Sequence, residues 1–139
     1  MNDQDIPGRG RSATDVIRAG GPRQALSRSA CLDLLSPGGR GRVAATMRAI
    51  PVVIPVTFTL VGGDVVFVPR LGEGRSKAVE NSVVAFETDQ VETDGQTMWD
   101  VHVTGVARII AGDAQSPRFV LSSDMMAGWK SEVETPPVT

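Results

Sequence analysis

Residues 50–69 read IPVVIPVTFTLVGGDVVFVP, and this stretch decides the fold. Val52, Ile54, Val56, Phe58 and Leu60 recur at every second position, the period of a strand with one buried face. Val53, Pro55, Thr57 and Thr59 fall on the other side. Gly62-Gly63-Asp64 is a tight hairpin signal, and VVFVP continues as the antiparallel return strand. Pro51 and Pro55 have no N–H to give to a ladder. The first strand is therefore expected to be an edge, bulged, or open along part of its length.

Working outward, the same texture continues on both sides. Upstream, RVAATM reads as a short strand. Before it, SRSACLDLL sets Ala30 with Leu34 and Cys31 with Leu35 at helical spacing, with Ser27 or Ser29 as N-cap and Pro37-Gly38-Gly39 as the stop. Downstream, LGEGR (residues 71–75) is a glycine-bearing loop and SKAVEN a short helical turn. SVVAFETD resumes strand character, residues 90–97 form a polar loop, and MWDVHVTGVARIIA is the longest strand. Gly112-Asp113 turns it into RFVLS, the last expected strand. Six short strands with one or two small helices describe a mainly β, α+β chain, an antiparallel barrel.

Residues 1–24 are rich in Gly, Arg, Asp and Pro and are read as a mobile tail, since they cannot bury enough surface to offset the entropy of ordering. Residues 25–133 form the folded domain, and residues 134–139 a frayed C-terminus. A chain of 139 residues has room for one core. Its formal net charge of −2 gives no electrostatic reason to expect nucleic acid or an anionic membrane as partner. A single cysteine, Cys31, excludes an internal disulfide, and a reduced cytoplasm fits best.

The loop after VVFVP has the sequence of strand, glycines, helix that often cradles phosphates. The dinucleotide pattern needs a third glycine three positions after Gly74, where this chain has Lys77, and the P-loop pattern is absent. The chemistry survives the loss of those motifs. Arg70, Arg75, Ser76 and Lys77 put three cations and a hydroxyl at a strand end and helix start, which suits a phosphomonoester as well as it suits a solvated charged loop. His102 is the only histidine and lies mid-strand, so neither a hydrolase triad nor a metal cluster is supported. Trp99 opens the longest strand after a polar loop, placed either for packing or as a lid over a planar ligand. No paired carboxylates stand out, and no side chain presents itself as a catalytic acid or base.

In order, CLDLL, GRGRVAAT, IPVVIPVTFTLVGGDVVFVP, GRSKAVENSVVAFETDQVE and MWDVHVTGVARII resemble the flavin/deazaflavin oxidoreductase group of the pyridoxamine 5′-phosphate oxidase-like split-barrel superfamily. The resemblance covers residues 27–112. It implies a six-stranded split barrel that dimerises, with flavin mononucleotide (FMN) at the subunit interface and the deazaflavin F420 as the alternative cofactor. It also implies that Pro55, Val56 and Thr57 approach the isoalloxazine edge, that Arg70, Ser76 and Lys77 hold the phosphate, and that Trp99 borders the site from one subunit or the other. The activity implied is a flavin-dependent oxidoreductase that reduces a small electron acceptor. A non-catalytic flavin- or haem-binding module is the rival of a different class. The sequence departs from the group in having only GDAQSP between the long strand and the last one, and it lacks the C-terminal Arg-x-His of vitamin B6 oxidases.

Overall fold

The computed structural model describes residues 23–70, 76–112 and 116–133. Along the chain the elements are β1 (Gln24–Ala25), α1 (Arg28–Leu35), β2 (Gly39–Met47), β3 (Ile50–Val61), β4 (Asp64–Pro69), α2 (Ser76–Val79), β5 (Val83–Val91), β6 (Thr97–Ala111), β7 (Arg118–Leu121) and β8 (Met126–Glu132). All strand pairings are antiparallel, and the sheet order is β1-β8-β6-β5-β2-β3-β4-β7. A further β6–β7 pairing closes β2 to β7 into a ring. These six strands are the six expected from the sequence, so the split barrel is as anticipated. Among the described residues two further strands, β8 and β1, extend the sheet beyond the ring.

The length of β6 lets one strand pair with both β8 and β7 along the same edge. Residues 97–103 pair with β8, while residues 107–111 pair with β7. Gly105 lies between the two halves with little room above it, since a Cβ there would stand 3.3 Å from Leu121. The hairpin between β3 and β4 turns on Gly62 and Gly63, with φ of 58° and 84°. Two consecutive positive φ values are what a two-residue hairpin requires, and glycine adopts them without strain.

The inner face is the predicted stripe. Ile54, Val56 and Phe58 of β3 are buried with Val43 of β2, Phe67 of β4 and Phe86 of β5. Phe58 meets Phe86 edge-on at 4.9 Å between centroids, and Phe67 stacks on Phe119 at 5.5 Å. The prolines of β3 are accommodated by a missing neighbour. β4 reaches back only to the Val56↔Pro69 pair, so Ile50–Pro55 have a full strand partner on the β2 side alone. Openness along part of the strand is thus the outcome among the alternatives foreseen.

Helix α1 begins at Ser27, whose hydroxyl accepts from the Ala30 N–H at 3.1 Å. Its Cys31 and Leu35 are buried, on the face the spacing assigned them. Arg28 donates to the Ser123 carbonyl at 2.6 Å and to its hydroxyl at 2.8 Å, tying the helix start to the turn between β7 and β8. The helix packs on β8 at Gly128, where a Cβ would lie 2.6 Å from Cys31 Sγ. Burial pushes the Cys31 thiol up, away from the thiolate. Alkylation of Cys31 in the native protein at pH 8 is therefore expected to run roughly a hundredfold or more below the rate for a free thiol, and to be complete in denaturant. Labelling at the free-thiol rate would mean that α1 is not docked on β8.

Arg23 and Gln24, placed in the tail by composition, are engaged. Arg23 lies 4.5 Å above the Trp129 ring, and β1 pairs Gln24 with Lys130 and Ala25 with Trp129. The remainder of the expected tail, the 71–75 loop and the expected frayed C-terminus lie outside the described residues. Among the described residues no helix is long and apolar enough to cross a membrane.

Candidate functional site

The alternation that buries Val56 turns Pro55 and Thr57 outward, and register decides what surrounds them. Pairing sets Pro55 beside Arg42 and Thr57 beside Arg40 on β2. On the other side the Arg70 N–H donates to the Pro55 carbonyl at 2.8 Å as the chain leaves β4. Arg40, Arg42 and Arg70 thereby converge on one strand-end cleft of about 310 Å³, floored by Val53 and Pro55, with Gly41 and Val56 contributing to its wall. Buried Thr88 donates to the Arg40 carbonyl at 2.8 Å and anchors this end of β2.

The three guanidiniums are not equivalent. Arg42 is bonded to Glu87 at 3.2 Å and to Asp89 at 3.1 Å. Those hydrogen bonds, Asp89 first, hold it still more firmly in its charged form. Its charge is already matched by two carboxylates. Arg40 and Arg70 have no carboxylate partner among the described residues. Two uncompensated planar donors beside an apolar floor suit a flat ligand that ends in a phosphate. A guanidinium cannot act as a base near neutral pH, so the described residues of the cleft are suited to bind and orient and include no proton-transfer group apart from the arginines.

The expected site residues separate on inspection. Pro55 and Arg70 meet in the cleft. Val56 is 1% exposed, so it faces the cleft through its backbone while its side chain fills the core. Thr57 stands one step along β3 and lines a neighbouring groove. Ser76 opens α2 and Lys77 follows it, joined to Arg70 through a loop outside the described residues. Trp99, expected beside the cofactor, is only 7% exposed and belongs to the buried hydrophobic core. The reason is its register, since Trp99, Val101 and Val103 share the inner face of β6.

Arg40 and Arg42 were missed by sequence reasoning, which ended the glycine turn at Gly39 and began the strand at Arg42. The signal was present, because Arg40, Arg42, Ala44 and Thr46 alternate with Gly41, Val43 and Ala45. His102 lies on the same outer face, with Nε2 2.9 Å from Asp100 Oδ1 and its ring edge-on to Trp129. No group of three His, Cys, Asp or Glu side chains suited to a metal occurs among the described residues.

A family model described as pyridoxamine 5′-phosphate oxidase matches residues 27–135, well over half of the chain. The chain belongs to this family. An uncharacterized protein of Mycobacterium tuberculosis is 35% identical over 114 residues, which span 78% of this chain and 70% of that protein. Among solved structures, the FAD-binding protein of Mycobacterium smegmatis is 28% identical, with a TM-score of 0.65 over 78% of this chain and 98% of its own. A FAD-binding protein from Mesorhizobium loti superposes with a TM-score of 0.68 at 15% identity, covering 81% and 98%. That second likeness speaks for the fold alone. Within the family's barrel, the cleft described above opens at the end of β4, where this chain has Arg70.

Proposed function

We propose that this member of the pyridoxamine 5′-phosphate oxidase family binds a flavin nucleotide in the Arg40–Arg42–Pro55–Arg70 cleft and works as a flavin-dependent oxidoreductase. The observation that carries the reading is the pair of guanidiniums, Arg40 and Arg70, around an apolar floor and with no carboxylate partner among the described residues. Arg70 and Arg40 hold the phosphate, joined by Ser76 and Lys77 from the start of α2. Pro55, Val56 and Thr57 present backbone and small side chains to the ring edge. The flavin supplies the electron transfer to a small acceptor, and the protein supplies binding, orientation and exclusion of water. The M. smegmatis FAD-binding protein, at 28% identity, favours the dinucleotide over FMN, and both share the ribityl phosphate that the arginines read.

The same proposal places the protein in the cytoplasm as a homodimer. Val53 (61% exposed) and Val83 (68%) stand on the outer face with Ala44 and Ala85, and Val53, Ala44 and Ala85 lie in register across β3, β2 and β5. Such a stripe is ordinarily covered in a stable protein. Light scattering at micromolar concentration is expected to give twice the chain mass of 14.7 kDa. A monomer would remove the shared interface from the proposal.

The direct test is the absorption spectrum of the purified protein, followed by titrations with FAD, FMN, riboflavin and F420. Tight binding of FAD or FMN with riboflavin much weaker is the expected result. Saturable binding of F420 alone would move the activity to the deazaflavin, and a Soret band would move it to haem. Failure to bind any of them would defeat the reading.

A further inference from the structure

Beside the cleft runs a second concavity, of about 370 Å³, on the outer face of β3 and β4. Thr57 and Thr59 form one side, Val66 and Val68 the other, Val61 its far end, and Arg118 of β7 stands at its rim. Register fixes where the charge lies. Thr57 pairs with Val68, and Arg118 is one step beyond the Phe67↔Phe119 pair, which sets it across from Val68. The cation and the Thr57 hydroxyl are therefore at the same end, the end that adjoins Pro55. From there to Val61 the groove runs four residues along β3, on the order of 13 Å at strand rise. Arg118 is exposed and has no carboxylate partner among the described residues.

We infer that this groove is the subsite for the oxidoreductase's second ligand, and that it takes an elongated apolar molecule bearing a single carboxylate. The assignment as a substrate subsite rests on the flavin reading of the adjoining cleft. One guanidinium offers two parallel N–H donors, which match a carboxylate and one negative charge. The flavin cleft has two guanidiniums with no carboxylate partner among the described residues and suits the two negative charges of an FMN phosphate or an FAD diphosphate, so the two sites divide anions by charge. The valines contact the apolar body, and the Thr57 and Thr59 hydroxyls orient it without demanding a charge. Because the carboxylate end lies at Thr57, the ligand is anchored next to the flavin cleft and its tail points away toward the hairpin.

The experiment is calorimetric titration of the flavin-loaded, full-length protein with biphenyl-4-carboxylate and with its uncharged carboxamide. The carboxylate is expected to bind about tenfold or more tightly than the carboxamide. Arg118→Gln is expected to erase that preference while leaving flavin affinity unchanged. Arg108→Gln, which removes an exposed cation from β6 outside the groove, is expected to retain it. Failure of the carboxylate to bind wild type at millimolar concentration, or a preference that survives Arg118→Gln, overturns the inference while the flavin titrations stand. If wild type binds the carboxylate but no flavin, the groove loses its role as a substrate subsite. A change of oligomeric state in Arg118→Gln, together with no carboxylate binding, assigns the groove to contact between copies and overturns the inference as well.

Discussion

Replacing Phe86 with alanine is expected to destabilise the protein by about 4 kcal/mol, within the 3–5 typical of such truncations. Phe86 is fully buried, and its ring is the edge partner of Phe58 at 4.9 Å. Its setting makes the loss large for a second reason. Gly41 on β2 lies against the ring, and a Cβ there would stand 2.6 Å from Phe86 Cε2 and 2.8 Å from the Glu87 carbonyl. The ring occupies the volume that the glycine leaves open, so nothing nearby can close the cavity. Gly41→Ala alone is expected to cost about 2 kcal/mol through overpacking. The double variant should be less damaging than the sum, by about 1 kcal/mol, because the methyl group then enters the vacated space. The recovery is partial, since the Glu87 carbonyl stays where it was. Urea unfolding of the four proteins measures the cycle, and Phe86→Ala should lower Tm by roughly 10–15 °C. Strict additivity would show that Gly41 and Phe86 do not share this space.

The pair also marks the limit of what the sequence made legible. The strand at residues 50–61 was readable because one face is wet and the other dry, so Ile54, Val56 and Phe58 stand out against Pro55 and Thr57. The ring of six strands followed from the same contrast, repeated. β8 was missed because its burial takes another form. Only Gly128 is buried along it, and the strand is held by its pairing with β6 and by Cys31 seated on that glycine. A glycine seat leaves no hydrophobic period to detect. The start of β2 was lost for a related reason, since Pro37-Gly38-Gly39 read as a turn and the strand as beginning only at Arg42, although Gly41 lies within β2 and makes room for the Phe86 ring. With it went Arg40, and with Arg40 half of the uncompensated charge in the cleft. Arg70 was legible because a strand end rich in cations is visible without tertiary information, whereas Pro55 was named through the family resemblance alone. Their convergence with Arg40 depends on the Thr57↔Arg40 register, which no local pattern encodes.

The second large effect is expected at those arginines. Arg70→Gln should weaken FMN and FAD by about ten- to a hundredfold, since a charge-assisted hydrogen bond contributes roughly 1.5–3 kcal/mol. Arg40→Gln should act in the same direction, and the double variant should lose more than either single one. Lys77→Ala, from the start of α2, belongs to the same series. Riboflavin has the same ring and ribityl chain without the phosphate, so its affinity should change by no more than about twofold in each case. Arg70 and Arg40 are exposed, and glutamine keeps the length and polarity of the side chain, so a general loss of folding is not the expected route to weaker binding. Salt offers an independent reading. Raising ionic strength should weaken FMN binding to wild type and narrow its advantage over riboflavin, because partly exposed charges are screened. In the double variant that salt dependence should largely disappear. Equal losses for riboflavin and FMN, or an unchanged salt response, would remove the phosphate from this cleft and leave Arg40 and Arg70 as surface cations on the barrel.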